Sequence, residues 1–357
     1  NLVTEIVGVR PAEDGSYEIV RLNSKIWIVD VGDDIQSVVD GADAGDVIIL
    51  GPGTHTISGS YITIDKELTI RGCGRNSTTV ATSDNSLMCI FRADASGAQV
   101  TIADMTLTQT NAASDCYAIY CDSAELSVEN VDINSTITGY ASHGVCFNGG
   151  SYGTLRGCRI ECSGSGGNAV RVYATSGLST ARTLLIRNCR LNHSGGSGTR
   201  YGFHASSSGA TGTLSVYFEQ CSVLGSSVGA FATSSAFTVT FFECFVSGTT
   251  YDVQQSSGAV VTITGSTLGT GLTNGTISYD GQLTAEDGYF SDDLTVGDNI
   301  SVARLNSTTW FVPASAGQAG ITSAISSAAA GDTILLGPGT FTVSGASITI
   351  SKALTIR

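Results

Sequence analysis

The sequence predicts an all-β fold, a solenoid of parallel strands with a short helix at its N-terminal end. A β-stalk and the opening of a second solenoid follow. Three observations predict this arrangement: a short apolar strand motif that recurs every 22 to 32 residues, an internal repeat, and a short amphipathic segment before the first strand. Repeats that each pack only on their neighbours are typical of solenoids.

The strand motif has apolar residues five and three positions before an anchor residue, and again two positions after it. The change of parity at the anchor predicts two inward-facing strands joined by a bend. The eight aligned anchors are Cys73, Met105, Val131, Cys158, Cys189, Cys221, Cys244 and Ser266. The bend residues before them are Gly72, Asp104, Asn130, Gly157, Asn188, Gln220, Glu243 and Gly265. These residue types tolerate a left-handed backbone or bond to nearby backbone groups.

The ten cysteines are predicted to be mainly buried free thiols. Anchors on neighbouring coils would lie about 4.8 Å apart, which is poor geometry for a disulfide. Cys116 and Cys121 in DCYAIYC are the one pair for which a disulfide stays open. No His and Cys spacing is typical of zinc, so we expect neither a metal site nor a cofactor.

Three segments occur twice, 283 to 286 residues apart. They are RLNSKIW and RLNSTTW (21–27, 304–310), GDVIILGPGT and GDTILLGPGT (45–54, 331–340), and ITIDKELTIR and ITISKALTIR (62–71, 348–357). The repeat predicts a connector at 1–29, a capped solenoid at 30–270, a stalk or linker at 271–306 and the start of a second solenoid at 307–357. We expect the natural polypeptide to continue past Arg357, or partner copies to complete the second solenoid.

The segment DDIQSVVDG (33–41) predicts the cap helix. Ile35, Val38 and Val39 form one apolar face, Asp33 or Asp34 is the N-cap and Gly41 ends the helix. ITSAISSAAAG (321–331) occupies the same place in the second copy.

This helix, GDVIILGPGTHTI and ITIDKELTIRGCG together resemble the opening of right-handed parallel β-helix proteins of the pectate-lyase-like superfamily. The resemblance covers residues 30–270 and restarts at 318, and it implies a right-handed parallel β-helix of about eight rungs. The superfamily includes polysaccharide lyases, glycoside hydrolases, esterases, bacterial surface proteins and viral tail spikes. It therefore implies a fold and no single function.

Residues 283–303 resemble the short stalk motifs of virus fibres, in which three chains intertwine. Apolar and polar residues alternate at Leu294, Val296, Ile300 and Val302, and one chain alone cannot bury that apolar face. The stalk therefore favours a homotrimer, and the alternative is a plain interdomain β-linker.

No set of residues predicts catalysis. Paired carboxylates within one rung are absent, as are the Gly-His-Gly and Arg-Ile-Lys motifs of the superfamily's hydrolases. The Ser- and Gly-rich loops between rungs predict carbohydrate binding, with turn packing as the alternative. The residues concerned are Tyr140, Tyr152, Tyr173, Tyr201, Asp115 and Asp122.

The formal charge of −14, from 17 basic and 31 acidic residues, argues against nucleic-acid partners and anionic membrane surfaces. The sequence contains no run of 18 apolar residues, so no membrane-spanning segment is predicted. The first functional hypothesis is a structural and adhesive fibre or spike of a phage or large DNA virus. Such a fibre would lie at the virion surface or outside the cell, attach to other virion proteins and present its loops to host-surface glycans. The alternatives are a polysaccharide-degrading lyase or hydrolase, and a tandem-repeat microbial adhesin or filament.

Overall fold

The structure is a computed structural model of the chain, and it describes the greater part of the sequence. The described residues are 21–23, 26–94, 97–110, 115–137, 139–195, 198–269, 273–275, 277–280, 284–285, 303–306, 309–312, 317–337, 340–344 and 347–357. The chain divides into two units, residues 1–288 and 289–357.

Unit 1 consists of one short helix, α1 (Ile35–Gly41), and many short strands within its described residues. The strands are β1 (Arg21–Asn23), β2 (Ile26–Val29), β3 (Asp46–Leu50), β4 (Gly53–Thr56), β5 (Ile62–Ile64), β6 (Leu68–Gly72), β7 (Thr78–Thr82), β8 (Cys89–Ala93), β9 (Gln99–Ala103), β10 (Thr106–Gln109), β11 (Cys116–Asp122), β12 (Glu125–Glu129), β13 (Asp132–Thr136), β14 (Ala141–Gly149), β15 (Tyr152–Arg156), β16 (Arg159–Ser163), β17 (Gly166–Ala174), β18 (Arg182–Arg187), β19 (Arg190–Ser194), β20 (Arg200–Ser207), β21 (Leu214–Glu219), β22 (Ser222–Gly225), β23 (Val228–Thr233), β24 (Phe237–Phe242), β25 (Phe245–Gly248), β26 (Tyr251–Ser256), β27 (Val260–Thr264), β28 (Thr267–Leu268), β29 (Thr273–Asn274), β30 (Ile277–Asp280) and β31 (Thr284–Ala285).

These strands form three long sheets that wind around one apolar core. In spatial order, the first sheet is β1-β2-β3-β6-β9-β12-β15-β18-β21-β24-β27-β30, the second is β31-β28-β25-β22-β19-β16-β13-β10-β7-β4, and the third is β29-β26-β23-β20-β17-β14-β11-β8-β5. Each coil of the chain adds one strand to each sheet, and all pairings except β1 with β2 are parallel. The fold is therefore a right-handed parallel β-helix, as predicted.

The strand register confirms the predicted apolar columns. Val128 lies opposite Ile102 on one side and Leu155 on the other, and Leu107 lies opposite Ile133. All five side chains are fully buried. The first sheet is longer than the eight predicted rungs, because β2 and β3 precede the first aligned motif and β30 follows the last.

The predicted bend residues take the left-handed conformation that the pattern required. The φ angles are 55° at Asp104, 55° at Asn130, 51° at Asn188, 53° at Gln220 and 50° at Glu243. Gly157 and Gly265 occupy the same region at 62° and 56°. Each of these residues turns the chain from the first sheet into the second, so that both strands face the core.

The first aligned motif is an exception, and Cys73 is not a core residue. Thr79 pairs with Thr106, so Thr78, which is fully buried, takes the place of Met105 in the column. Residues 73–77 form an insertion that displaces Cys73 to the surface. Gly72 lies outside the left-handed region, and a Cβ there would approach Asp104 O to 2.5 Å.

Helix α1 covers the apolar end of the solenoid with its buried residues Ile35, Val38 and Val39. Asp34 is the N-cap, and its carboxylate accepts from Gln36 N at 3.0 Å. The other end is held by Lys66. Its Nζ donates to three backbone carbonyls there, Val39 O at 3.3 Å, Asp40 O at 3.2 Å and Ala42 O at 3.2 Å.

Trp27 and Asp46 complete the cap of unit 1. Trp27 Nε1 donates to Asp46 Oδ2 at 2.8 Å, and the same oxygen accepts from Asp43 N at 3.0 Å. The buried carboxylate thereby ties β2, the turn after α1 and β3 together.

Unit 2 repeats the cap with α2 (Gly317–Ser327) and strands β32 (Ala303–Asn306), β33 (Thr309–Val312), β34 (Thr333–Leu336) and β35 (Thr355–Ile356). Trp310 Nε1 donates to Asp332 Oδ2 at 3.0 Å, and Lys352 Nζ donates to Ile325 O, Ser326 O and Ala328 O at 3.1, 2.8 and 2.7 Å. The repeated residues of the sequence are therefore the residues that build the cap. The helix begins at 317, four residues before the predicted segment.

The predicted stalk residues Leu294, Val296, Ile300 and Val302 lie outside the described residues. Among the helices of the described part, none is long and apolar enough to cross a membrane.

Candidate functional site: the outer face of the third sheet

The strands of the third sheet bend in a way that gathers side chains on the outside. In β11, two consecutive residues, Ala118 and Ile119, face the core, so the residues before and after them both point outward. The ring centroids of Tyr117 and Tyr120 lie 5.2 Å apart. The same relation holds in β20, where Tyr201 and His204 are 4.7 Å apart. The outer face therefore consists of two converging columns.

One column contains Tyr117, His143, Asn168 and Tyr201, paired in register along β11, β14, β17 and β20. The other contains Arg92, Tyr120, Cys146, Arg171, His204 and Phe231, paired along β8 to β23. These ten residues are called the outer face of the third sheet below.

A hydrogen-bonded cluster occupies the middle of this face. The ring of Tyr117 stacks on His143 with 4.6 Å between centroids. Arg171 NH1 donates to Tyr117 Oη at 3.0 Å and so spans the intervening strand. Asn168 Nδ2 donates to His143 Nδ1 at 3.0 Å, which places the imidazole hydrogen on Nε2. The cluster thus fixes the orientation of an imidazole, a phenol and a guanidinium.

Burial keeps the histidine and the tyrosine of this cluster uncharged. It lowers the pKa of His143 to about 3, and the positive charge of Arg171 adds to the effect. Burial raises the pKa of Tyr117 to about 12. Arg171 is therefore the charged member of the cluster at neutral pH, beside an uncharged imidazole and phenol.

A stack of aromatic rings continues the face toward the C-terminal end of unit 1. Tyr201 lies 4.7 Å from His204 and 5.6 Å from Phe231, and His204 lies 5.2 Å from Phe231 with nearly parallel rings. Burial lowers the pKa of His204 to about 4. Because the rings cover one another, this stack presents mainly its edges to solvent.

Polar groups border the other end of the face. Arg92 pairs with Asp94 at 2.8 Å and lies 3.9 Å from Asp122. It also donates to Tyr61 Oη at 3.2 Å. Asn148 Nδ2 donates to Asp122 Oδ1 at 3.1 Å. The predicted residue Asp122 therefore lies beside the face, already engaged by Arg92, Asn148 and the hydroxyl of Ser123.

The remaining predicted sugar-binding residues lie in different places. Tyr173 and Tyr201 are on the third sheet, and Arg171 lies over the Tyr173 ring at 5.5 Å. Tyr152 belongs to β15 of the first sheet, and Arg182 covers its ring at 4.5 Å. Tyr140 is 42% exposed, and Asp115 accepts from Ala141 N at 3.1 Å. Their role in carbohydrate binding stays a prediction.

Strict alternation hides Tyr117 and Arg171 at the centre of the face, and it predicts His143 to be a surface or loop histidine, whereas only 3% of it is exposed. Tyr117, His143 and Arg171 are outward residues on either side of a parity change. The signal that could have found them is a spacing of three that recurs in consecutive rungs, as in Tyr117 to Tyr120 and Tyr201 to His204.

The cysteines are free thiols. Cys116 and Cys121 form no disulfide, and both are buried, as are all the others except Cys73. Within the described part of the chain, no group of three His, Cys, Asp or Glu residues is placed to hold a metal ion.

Comparison with known proteins finds similar solved structures and no match at the level of sequence families. No protein-family model and no curated protein matches the sequence. Among solved structures, ORF18 of Geobacillus virus E2 is 13% identical, with a TM-score of 0.43 over 78% of this chain and 67% of that chain.

Two further similar structures are those of enzymes. The A-module of mannuronan C-5 epimerase AlgE4 from Azotobacter vinelandii is 12% identical, with a TM-score of 0.33 over 72% of this chain and 94% of that chain. A pectin methylesterase in complex with a hexasaccharide is 13% identical, with a TM-score of 0.33 over 62% and 87%. At this identity the likeness concerns the fold alone. The chain is a right-handed parallel β-helix protein.

Proposed function

We propose that the chain is a structural and adhesive rod of a virus fibre or spike, built from capped β-helix modules. One observation carries the proposal: the same cap is built twice. Trp27, Asp46 and Lys66 in unit 1 make the hydrogen bonds that Trp310, Asp332 and Lys352 make in unit 2. A chain that starts a second capped solenoid after completing a first is suited to length and stiffness, because each rung contacts only its neighbours.

The outer face of the third sheet supports the adhesive part of the proposal. It offers edges of aromatic rings, the hydroxyl of Tyr117 and the guanidinium of Arg171. Aromatic surfaces next to a few fixed polar groups are typical of ligand sites. The proposed ligand is a glycan of the host surface, and the proposed location is the virion surface or the extracellular space. Other virion proteins would anchor the rod.

The proposed assembly is a homotrimer held by the stalk. Leu294, Val296, Ile300 and Val302 would form its buried face, because alternating apolar residues need a partner surface. Light scattering of the full chain should give about three times the 36.6 kDa mass of one chain. Leu294→Asp should reduce this to one chain mass. A monomeric wild type, or a trimeric Leu294→Asp, would contradict the stalk interface and favour a tandem-repeat surface adhesin.

Glycan binding is tested on a panel of immobilised host-type glycans. Tyr173→Ala, beside Arg171 on the third sheet, should lower binding at least tenfold. The matched control is Tyr217→Ala, a tyrosine of the first sheet that is 43% exposed, and it should bind like the wild type. Equal losses in the two variants would show that the third sheet is not the binding face.

A second candidate is a polysaccharide-degrading enzyme, and the middle cluster favours it. The stacked rings of Tyr117 and His143 bring together two residue types that serve as general acids and bases in enzymes. Incubation with neutral and acidic polysaccharides, followed by measurement of new reducing ends, tests this reading. Activity that Tyr117→Phe abolishes would support the enzyme. If no substrate yields new reducing ends, the result would favour the adhesive rod.

A further inference from the structure

Arg200 is a buried arginine in a position where an apolar or small residue would be expected. It is the first residue of β20, at the corner between the second and third sheets, and only 8% of it is exposed. In the ladder it lies opposite Gly167, and the column continues to the fully buried Ser142. Its guanidinium therefore lies against the interior of the corner.

The charge of Arg200 has no carboxylate partner within the described residues. NH1 donates to Ser226 Oγ at 3.1 Å. Nε is buried and has no hydrogen-bond partner. Arg187 and Arg92 differ in having a carboxylate partner, since Arg187 pairs with Glu219 at 2.6 Å and Arg92 with Asp94 at 2.8 Å. Arginine is almost never this deeply buried unless it is paired, because removing its charge from water costs free energy.

The neighbouring groups supply donors and a lone pair, and no negative charge. His193 is fully buried, and its Nε2 donates to Ser142 O at 3.1 Å, which leaves Nδ1 as an unpartnered acceptor. Burial of His193 and the nearby charge of Arg200 lower the pKa of the His193 imidazole to about 4, so this imidazole is neutral. It therefore cannot compensate the guanidinium.

Ser226 adds a second available donor. Its backbone N donates to His193 O at 2.9 Å, and its backbone O accepts from Thr249 Oγ1 at 2.7 Å. Its hydroxyl oxygen accepts from Arg200, so the hydroxyl hydrogen is free to donate elsewhere. Within the described residues, Arg200 Nε–H thus lacks an acceptor, and the half-buried Ser226 hydroxyl on the same guanidinium has a hydrogen left to donate.

We propose that Arg200 and Ser226 form a binding site for a small monovalent anion, chloride under ordinary conditions. A halide accepts from several N–H and O–H donors at once and neutralises the guanidinium. Because only 8% of Arg200 is exposed, a single-atom ion fits the site better than a larger organic acid. This anion site is separate from the outer face of the third sheet and does not depend on the proposed function.

Bromide replaces chloride as the probe. A crystal of the full chain grown in sodium bromide should show an anomalous peak about 3.3 Å from the Arg200 guanidinium. In solution, the midpoint of thermal unfolding should be at least about 2 °C higher in sodium chloride than in sodium gluconate at equal ionic strength. Ser226→Ala should reduce this difference, and Arg200→Met should abolish it.

Arg187→Met is the control, because it removes an exposed guanidinium and should keep the chloride effect. A water molecule in place of the bromide peak would overturn the proposal. So would a chloride effect of equal size in Arg200→Met and the wild type. If Arg200→Met does not fold, the bromide peak in the wild type and the response of Ser226→Ala decide the question.

Discussion

Lys66 is predicted to hold the cap of unit 1 closed. Its ammonium group donates to three carbonyls at the end of α1 at 3.2 to 3.3 Å, and its side chain is 26% exposed. Hydrogen bonds to charged groups contribute about 1.5–3 kcal/mol each when well made. These three hydrogen bonds are long and partly solvated, so their combined contribution to stability is smaller than three such bonds would give. We expect Lys66→Met to destabilise the cap by about 2 kcal/mol.

The loss should be local, because each rung of a solenoid contacts only its neighbours. Hydrogen exchange measured by mass spectrometry is therefore the assay. Amides of α1, Ile35–Gly41, should exchange about 30-fold faster in Lys66→Met, which corresponds to 2 kcal/mol. Amides of a central strand such as β15 should be unchanged.

Asp65→Asn is the matched control, since the Asp65 carboxylate lies 3.9 Å from Lys66 Nζ and is 68% exposed. It should leave exchange in α1 within twofold of the wild type. A change below twofold in Lys66→Met, or equal changes in the two variants, would refute the assignment of the cap to the lysine.

Three other predictions concern the bends, the thiols and the histidines. Asn188 has a φ of 51°, so Asn188→Val should lower the free energy of unfolding in urea by about 1–2 kcal/mol, and Asn188→Gly should not lower it. Equal stabilities of the two variants would contradict the left-handed assignment. Ellman's reagent at pH 8 should label Cys73 alone in the native protein and all ten thiols in guanidinium, because nine of the thiols are buried. Rapid labelling of further cysteines in the native protein would show that the corners of the solenoid open. The pKa of His143 is about 3 when folded, below its unfolded value near 6.5, so the unfolded state binds more protons and stability falls as the pH falls. Between pH 6.5 and pH 5 this histidine should cost about 2 kcal/mol, and a His143→Gln variant with the same pH dependence as the wild type would contradict it.

The solenoid and its columns could be predicted because each buried position recurs in many rungs. Ile102, Val128 and Leu155 sit in one column in the sequence alignment and in the sheet register. The cap was predictable for a similar reason, since Ile35, Val38 and Val39 form an apolar face of one helical turn. Repetition averages out the ambiguity of any single short strand.

The exceptions come from residues that break the repetition. Cys73 was aligned by its place after Gly72, but a five-residue insertion gives that column to Thr78. The centre of the candidate site was missed because β11 turns two successive residues, Ala118 and Ile119, toward the core. Strict alternation cannot describe such a strand. Arg200 escaped notice as well, since nothing in a single sequence marks one arginine as buried.

The insertion at residues 73–77 shows how this chain accommodates extra length. Arg75 lies in it and pairs with Asp132 at 3.0 Å, and it also donates to Asn130 and to the backbone carbonyl of Gly157. The added segment thus reaches across later coils, while β6 and β7 keep their register with β9 and β10. Insertions and deletions at this corner therefore alter the exterior without shifting the interior. An evolving lineage can lengthen or replace such segments one coil at a time and so change the outer surface of the solenoid at little risk to its folding.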